Sequence, residues 1–197
     1  MKANTKTVSK AKSKPTPITK EEFNKLTRPE QRVIIAQDVL AQLAAKKFHP
    51  MRGNYCEIKP GKDTKGVNTT ERADIDDRYI FPASLSAQAL IQSAEACYVC
   101  AKGAMVCAYV ERFNKRTVGG MSGMSSDETM VRIFGDNMWS EIEAQFEGNR
   151  SYRKNAVFNM MTIRQRNTPI KPKSMKSLME NVVKNKGFLK IYNHLIG

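Results

Sequence analysis

The chain has 197 residues, 41% of them hydrophobic, and a net charge of +14 from 33 Lys and Arg against 19 Asp and Glu. That composition is too apolar for a wholly unfolded chain, the length allows one self-sufficient core, and no run of ~18 apolar residues exists that would span a bilayer. The charge is uneven: residues 1–20 carry six Lys and no acid, residues 148–197 carry eleven bases and only Glu180, and the body between them is −2. A near-neutral body with two basic ends points to a polyanionic partner, nucleic acid above all.

Residues 1–18 are dominated by Lys, Ser, Thr, Ala and Pro. They bury too little apolar surface to offset their ordering entropy and are expected to form a disordered basic arm. No apolar stretch follows the basic residues, so a secretory signal is not expected. The expected location is the cytoplasm, with Cys56, Cys97, Cys100 and Cys107 as reduced thiols.

Order is expected from Thr19, where Thr19-x-x-Glu22 forms a capping box. Thr27-x-x-Glu30 repeats the device, with Pro29 early in the next helix, where its missing N–H costs little. Val33, Ala36, Leu40 and Leu43 then recur at helical steps and predict a helix over 28–46, ended by His49-Pro50. Tyr55 to Ile58 reads as a short strand and Tyr79 to Phe81 as a second, with a polar loop carrying Asp74, Asp76 and Asp77 before it. From Ser84 to Phe113 there is no Pro and one Gly, and the apolar residues fall on several sides. This predicts one long central helix on which the others pack. Gly119 to Met124 reads as a mobile linker and Ser125-x-x-Glu128 as a third capping box. Gly135-Asp136 divides the following segment into two helices, the second with Met138, Trp139, Ile142 and Phe146 on one face. A last helix is predicted over 174–186, with Gly187 as its C-cap and the tail from Phe188 to Tyr192 packing back on the body. The predicted fold is mainly α with a small β element: residues 19–197 form a single, mostly helical domain that includes a basic segment at 149–176.

Cys97-x-x-Cys100 has zinc-knuckle spacing, with Cys107 nearby. On a continuous helix, however, Cys97 and Cys107 lie about 15 Å apart along the axis, too far for one tetrahedral ion. Two of these Cys with Cys56 and His49 or His194 remain an open ligand set, but close packing of small residues is the preferred reading. Asp74, Asp76 and Asp77, flanked by Arg72 and Arg78, have the chemistry of a divalent-cation site, and a solvated loop with local ion pairs is preferred. There is no phosphate-cradling glycine loop, nucleophile elbow or paired-His motif. The chain is therefore expected to be non-enzymatic, with no cofactor and no metal.

The strongest candidate site is the basic stretch: Arg150, Arg153, Lys154, Arg164, Arg166, Lys171, Lys173 and Lys176, with no acid between Glu147 and Glu180. Tyr152 and Phe158 interleave. Arg suits bidentate phosphate contact and aromatics stack on unpaired bases, so RNA or DNA, or a ribonucleoprotein, is the expected partner, with no membrane.

The run from Cys97 to Met105 resembles a helix of small uncharacterised bacteriophage and bacterial proteins that carry Cys-x-x-Cys-Ala-x-Gly-Ala. The stretches from Phe146 to Gly148 and from Leu178 to Gly187 are similar to that group as well. The resemblance covers about a third of the chain. It implies a phage or mobile-element accessory protein and supplies no catalytic residue. Three functional expectations follow. The first is a nucleic-acid-binding accessory protein. The second is an inhibitor that binds a host protein target, an RNA-guided or other defence nuclease. The third is a virion component that contacts packaged genome.

Overall fold

The structure, a computed structural model, describes residues 17–53, 55–59, 91–92, 94–113, 126–149 and 170–190. Among these residues there are six helices and a three-stranded sheet. Residues 1–16 of the arm expected over 1–18, the strand at 79–81, the aspartate loop, the Gly119–Met124 linker and the Ser125 capping box lie outside them; Ile18, assigned to the arm, instead packs against the core.

Local capping chemistry starts the first two helices. In α1 (Lys20–Lys25) the Thr19 hydroxyl accepts from the Glu22 amide at 3.2 Å, and the Glu22 carboxylate accepts from the Thr19 amide at 2.8 Å. In α2 (Arg28–Ala44) the Glu30 carboxylate accepts from both the Thr27 amide and its hydroxyl. These bonds satisfy N–H groups that have no partner inside a helix.

Helix α2 stops before His49-Pro50. Lys46 takes a left-handed φ of 58°, its amide donates to Leu43 O, and the Lys47 amide donates to Gln42 O. This is a Schellman closure with Lys in the position usually held by Gly. His49 and Pro50 then belong to a strand that the sequence reading missed, β1 (Phe48–Pro50). Pro50 is tolerated there because β1 is an edge strand.

Strand β2 (Cys56–Lys59) falls where it was expected. The central strand does not. The single long helix predicted over 84–113 is corrected by the structure: Ile91 and Gln92 are helical, Ala96–Val99 is a strand, β3, and Ala101–Phe113 is a separate helix, α3, while residues 84–90 lie outside the described ones. The Cys97–Cys100 half of the motif assigned to a helix is therefore strand and connection. β3 lies between β1, which it pairs in parallel, and β2, which it pairs antiparallel. Ala96, Cys97 and Val99 are all buried, so the strand shows no alternation that would separate it from a buried helix.

Helix α3 keeps the central role over its shorter length. Ten of its 13 residues are buried. Three further helices surround it with α2: α4 (Ser126–Phe134), α5 (Asp136–Glu147) and α6 (Met175–Lys184). The break at Gly135 between α4 and α5 is as expected. Trp139, Ile142 and Phe146 face the core, with Met138 half-buried against it. Helix α6 ends in a second Schellman closure, with Lys186 at φ 52° and Gly187 donating to Val182 O. Gly187, expected as the C-cap, instead lies two residues beyond the cap Asn185 and one beyond the left-handed Lys186, where a side chain would run into Pro29 O. Of the tail, Leu189 packs on the core, and the Asn181 side chain exchanges two hydrogen bonds with the Lys190 backbone; Phe188 is exposed. Every helix and strand contributes to one hydrophobic cluster.

A methyl group on Gly103 would sit 1.7 Å from the carbonyl oxygen of Tyr55, whereas one on Gly53 would meet nothing within 4 Å. Gly103→Ala is expected to cost about 3 kcal/mol in urea denaturation. Gly53→Ala, strained only by its φ of +72°, is expected to cost about 1 kcal/mol.

Candidate nucleic-acid interface

Of the eight predicted contact residues, Arg150, Arg153, Lys154, Arg164 and Arg166 lie outside the described residues. Lys171, Lys173 and Lys176 lie within them, on the segment that enters α6. Lys171 is exposed and Lys173 half-buried. Lys176 pairs with Glu180 one turn later at 3.8 Å; both side chains are largely exposed, so water screens the pair strongly. Ser174 caps α6 by accepting from the Ser177 amide at 3.2 Å, which fixes where the Lys-bearing segment becomes helical.

The described residues also fix where the basic stretch is attached. The chain leaves α5 at Gly148, a left-handed residue (φ 73°), and is described again from Ile170. The Lys173 amide donates to Gln145 O at 2.8 Å, and Pro172 lies so close to Gly148 that a side chain there would overlap its ring. Both ends of segment 150–169, which carries five bases and no acid, are thus held at the C-terminal end of α5.

Further cations gather at the opposite end of α6, in a cluster not legible from residue order. Arg32 Nε donates to Ile133 O at 2.7 Å and Nη1 to Gly187 O at 3.3 Å, and its guanidinium lies over the Phe188 ring. This clasp brings the end of α6, with exposed Lys184, Lys186 and Lys190, to the start of α2, with exposed Arg28. Arg28 and Lys186 are 158 positions apart in sequence, so only the fold joins them.

Several polar groups elsewhere are engaged with one another. Asp38 is buried against Arg112 in a two-pronged ion pair, and burial still pushes its carboxyl above the ordinary range. Glu111 accepts from Gln42 and from Lys47 beside it, in a cleft of about 200 Å³ between α2 and α3. On α5, buried Glu141 accepts from the buried Gln145 side chain at 2.8 Å.

The cysteines meet in the core. The Cys56 and Cys107 sulfurs are 3.5 Å apart, a thiol contact rather than a bond, and all four thiols are free and buried. The 15 Å separation expected for Cys97 and Cys107 assumed a continuous helix and falls with it: Cys97 on β3 is near enough to Cys107 for their charges to interact. Burial pushes Cys97 up to about 12 and Cys100 up to about 11. Among the described residues no group of three or more His, Cys, Asp or Glu is arranged to hold a metal ion, and no helix is long and apolar enough to cross a membrane.

Comparison with protein-family models, curated proteins and solved structures finds no match.

The thiol environment has two measurable results. A thiol-specific colorimetric reagent is expected to find no fast-reacting thiol in the native protein at neutral pH and four after denaturation. The unfolded thiols ionise near 9.0 and the native Cys97 and Cys100 only near 12 and 11. Their contribution to stability is therefore present in full below pH 9 and falls as pH rises from there through 11 to 12, measurable as a declining denaturation midpoint.

Proposed function

We propose that this protein is a non-enzymatic binder of nucleic acid, alone or within a ribonucleoprotein. The observation that carries the reading is the charge distribution: a body of −2 between ends of +6 and +10. The attachment of segment 150–169 supports it, because anchorage at one corner of a folded body limits where its five bases can lie. Arg150, Arg153, Lys154, Arg164 and Arg166 supply phosphate contacts, with Lys171, Lys173 and Lys176 beside them, and the Lys-rich arm adds unspecific attraction. Affinity from these contacts arises mainly from release of counterions, so it needs no deep pocket and no metal. A phage or mobile-element origin is consistent with the resemblance of the Cys97–Met105 run and remains part of the same proposal.

Binding to RNA and DNA oligonucleotides, followed by fluorescence anisotropy between 50 and 400 mM salt, is expected to weaken with a log–log slope of about −0.7 to −0.9 per phosphate contacted. Charge reversal at Arg164 and Arg166 together is expected to lower affinity about tenfold or more, and the same change at exposed Lys25 to do much less. Removal of residues 1–16, which spares Ile18 on the core, is expected to weaken binding while leaving the thermal midpoint within about 2 °C. A salt-insensitive interaction, or none with either nucleic acid, overturns the proposal. A host protein retained after nuclease treatment would favour the inhibitor reading instead.

A further inference from the structure

A second site lies away from the basic stretch. A pocket of about 410 Å³ opens between α1, the start of α2, α3 and α4. That volume falls within the range of small-molecule sites, roughly 300–1,000 Å³. Two guanidiniums, Arg28 from the first position of α2 and Arg132 from α4, line it together. Among the described residues neither has an ion-pair partner. The nearest carboxylate in sequence to Arg28, Glu30, is held by the amide and hydroxyl of Thr27.

Two like charges facing one pocket repel each other, and an anion between them removes that repulsion. A guanidinium presents paired N–H groups that match phosphate oxygens, and two of them suit a dianionic phosphate monoester. The rest of the lining is not that of a bare phosphate site. Leu26 and the largely buried Tyr109 give it an apolar side, held in place by the stacking of Phe23 against Tyr109 and Phe113 at 6.1 and 4.6 Å. Gln31 is fixed by donating Nε2 to Phe23 O at 2.9 Å, which leaves its carbonyl oxygen as an acceptor, and Asn24 brings a second amide. Amides are the side chains that read base edges.

The geometry points to a nucleoside-monophosphate site, with the phosphate between Arg28 and Arg132 and the nucleoside against Tyr109, Leu26 and the two amides. The ligand is a free nucleotide or one nucleotide of a strand. The inference does not depend on the polyanion reading, because none of its residues belongs to segment 149–176.

The test is isothermal titration calorimetry of the full-length protein with AMP, GMP, CMP, UMP, inorganic phosphate and a 5′-phosphorylated dinucleotide. At least one nucleotide is expected to bind about tenfold or more tightly than inorganic phosphate. Arg132→Gln and Arg28→Gln are each expected to weaken it about tenfold, the loss of a charge-assisted contact. Both side chains are exposed, so the thermal midpoint should hold; Thr129→Glu, which adds a carboxylate to the pocket lining, is a second variant with the same expected loss. A dinucleotide that binds more tightly than its mononucleotides assigns the site to a strand, and the reverse order assigns it to a free nucleotide. Charge reversal at Arg164 and Arg166 should leave mononucleotide binding intact, so this inference and the polyanion reading can fail separately. No binding of any nucleotide at millimolar concentration, binding unchanged in all three pocket variants, or inorganic phosphate as tight as the nucleotides overturns the inference.

Discussion

Helix α3 can reach the centre of this protein because one of its residues has no side chain. Gly103 lets the Tyr55 carbonyl rest where a methyl group would stand, and the same carbonyl accepts from the Cys100 amide at 3.3 Å. The approach holds β2 against the first turn of α3 and sets the Cys56 and Cys107 sulfurs in contact. Because β3 runs into α3 through Cys100, the position of the sheet and that of the central helix are fixed together. The other helices pack on what this junction defines.

A second set of ties closes the periphery. Arg32 spans three elements, donating to the last turn of α4 and to Gly187, three residues past α6, while its stem rises from α2. Hydrogen bonds from a charged donor to buried carbonyls are stronger than neutral ones, on the order of 1.5–3 kcal/mol. The two Schellman closures act in the same sense, since each turns the chain sharply without a glycine at the left-handed position. Lys46 and Lys186 accept the strain of positive φ because the following amides at Lys47 and Gly187 recover carbonyls the helix would leave unpaired. Both are exposed Lys, so a strained backbone position adds to the cationic surface.

What the sequence made legible was local. The Thr19–Glu22 and Thr27–Glu30 boxes, the break at Gly135, the strand around Cys56 and the apolar stripe of α6 all depend on residues a few positions apart, and all appear as expected. The error over 84–113 has a physical origin: a central strand buried on both faces and a buried helix have the same composition, and Cys97 to Val99 offers no polar residue to mark a period. Charge counting located a basic C-terminal end but had no means of joining Arg28 to Lys186, or Arg28 to Arg132, because those neighbours are made by packing. The cysteines show the same limit. Cys97, Cys100 and Cys107 were read on one helix; with Cys56, read correctly on a strand, they are a buried thiol cluster assembled from two strands and a helix.

The corner formed by Gly148 and Pro172 is tied by residues on either side of segment 150–169. The Lys173 amide returns to Gln145 O, and the Pro172 ring fills the space a Gly148 side chain would need. Exchanging one cation for another between those points leaves both ties in place, so the charge and the mount that carries it are specified by different residues.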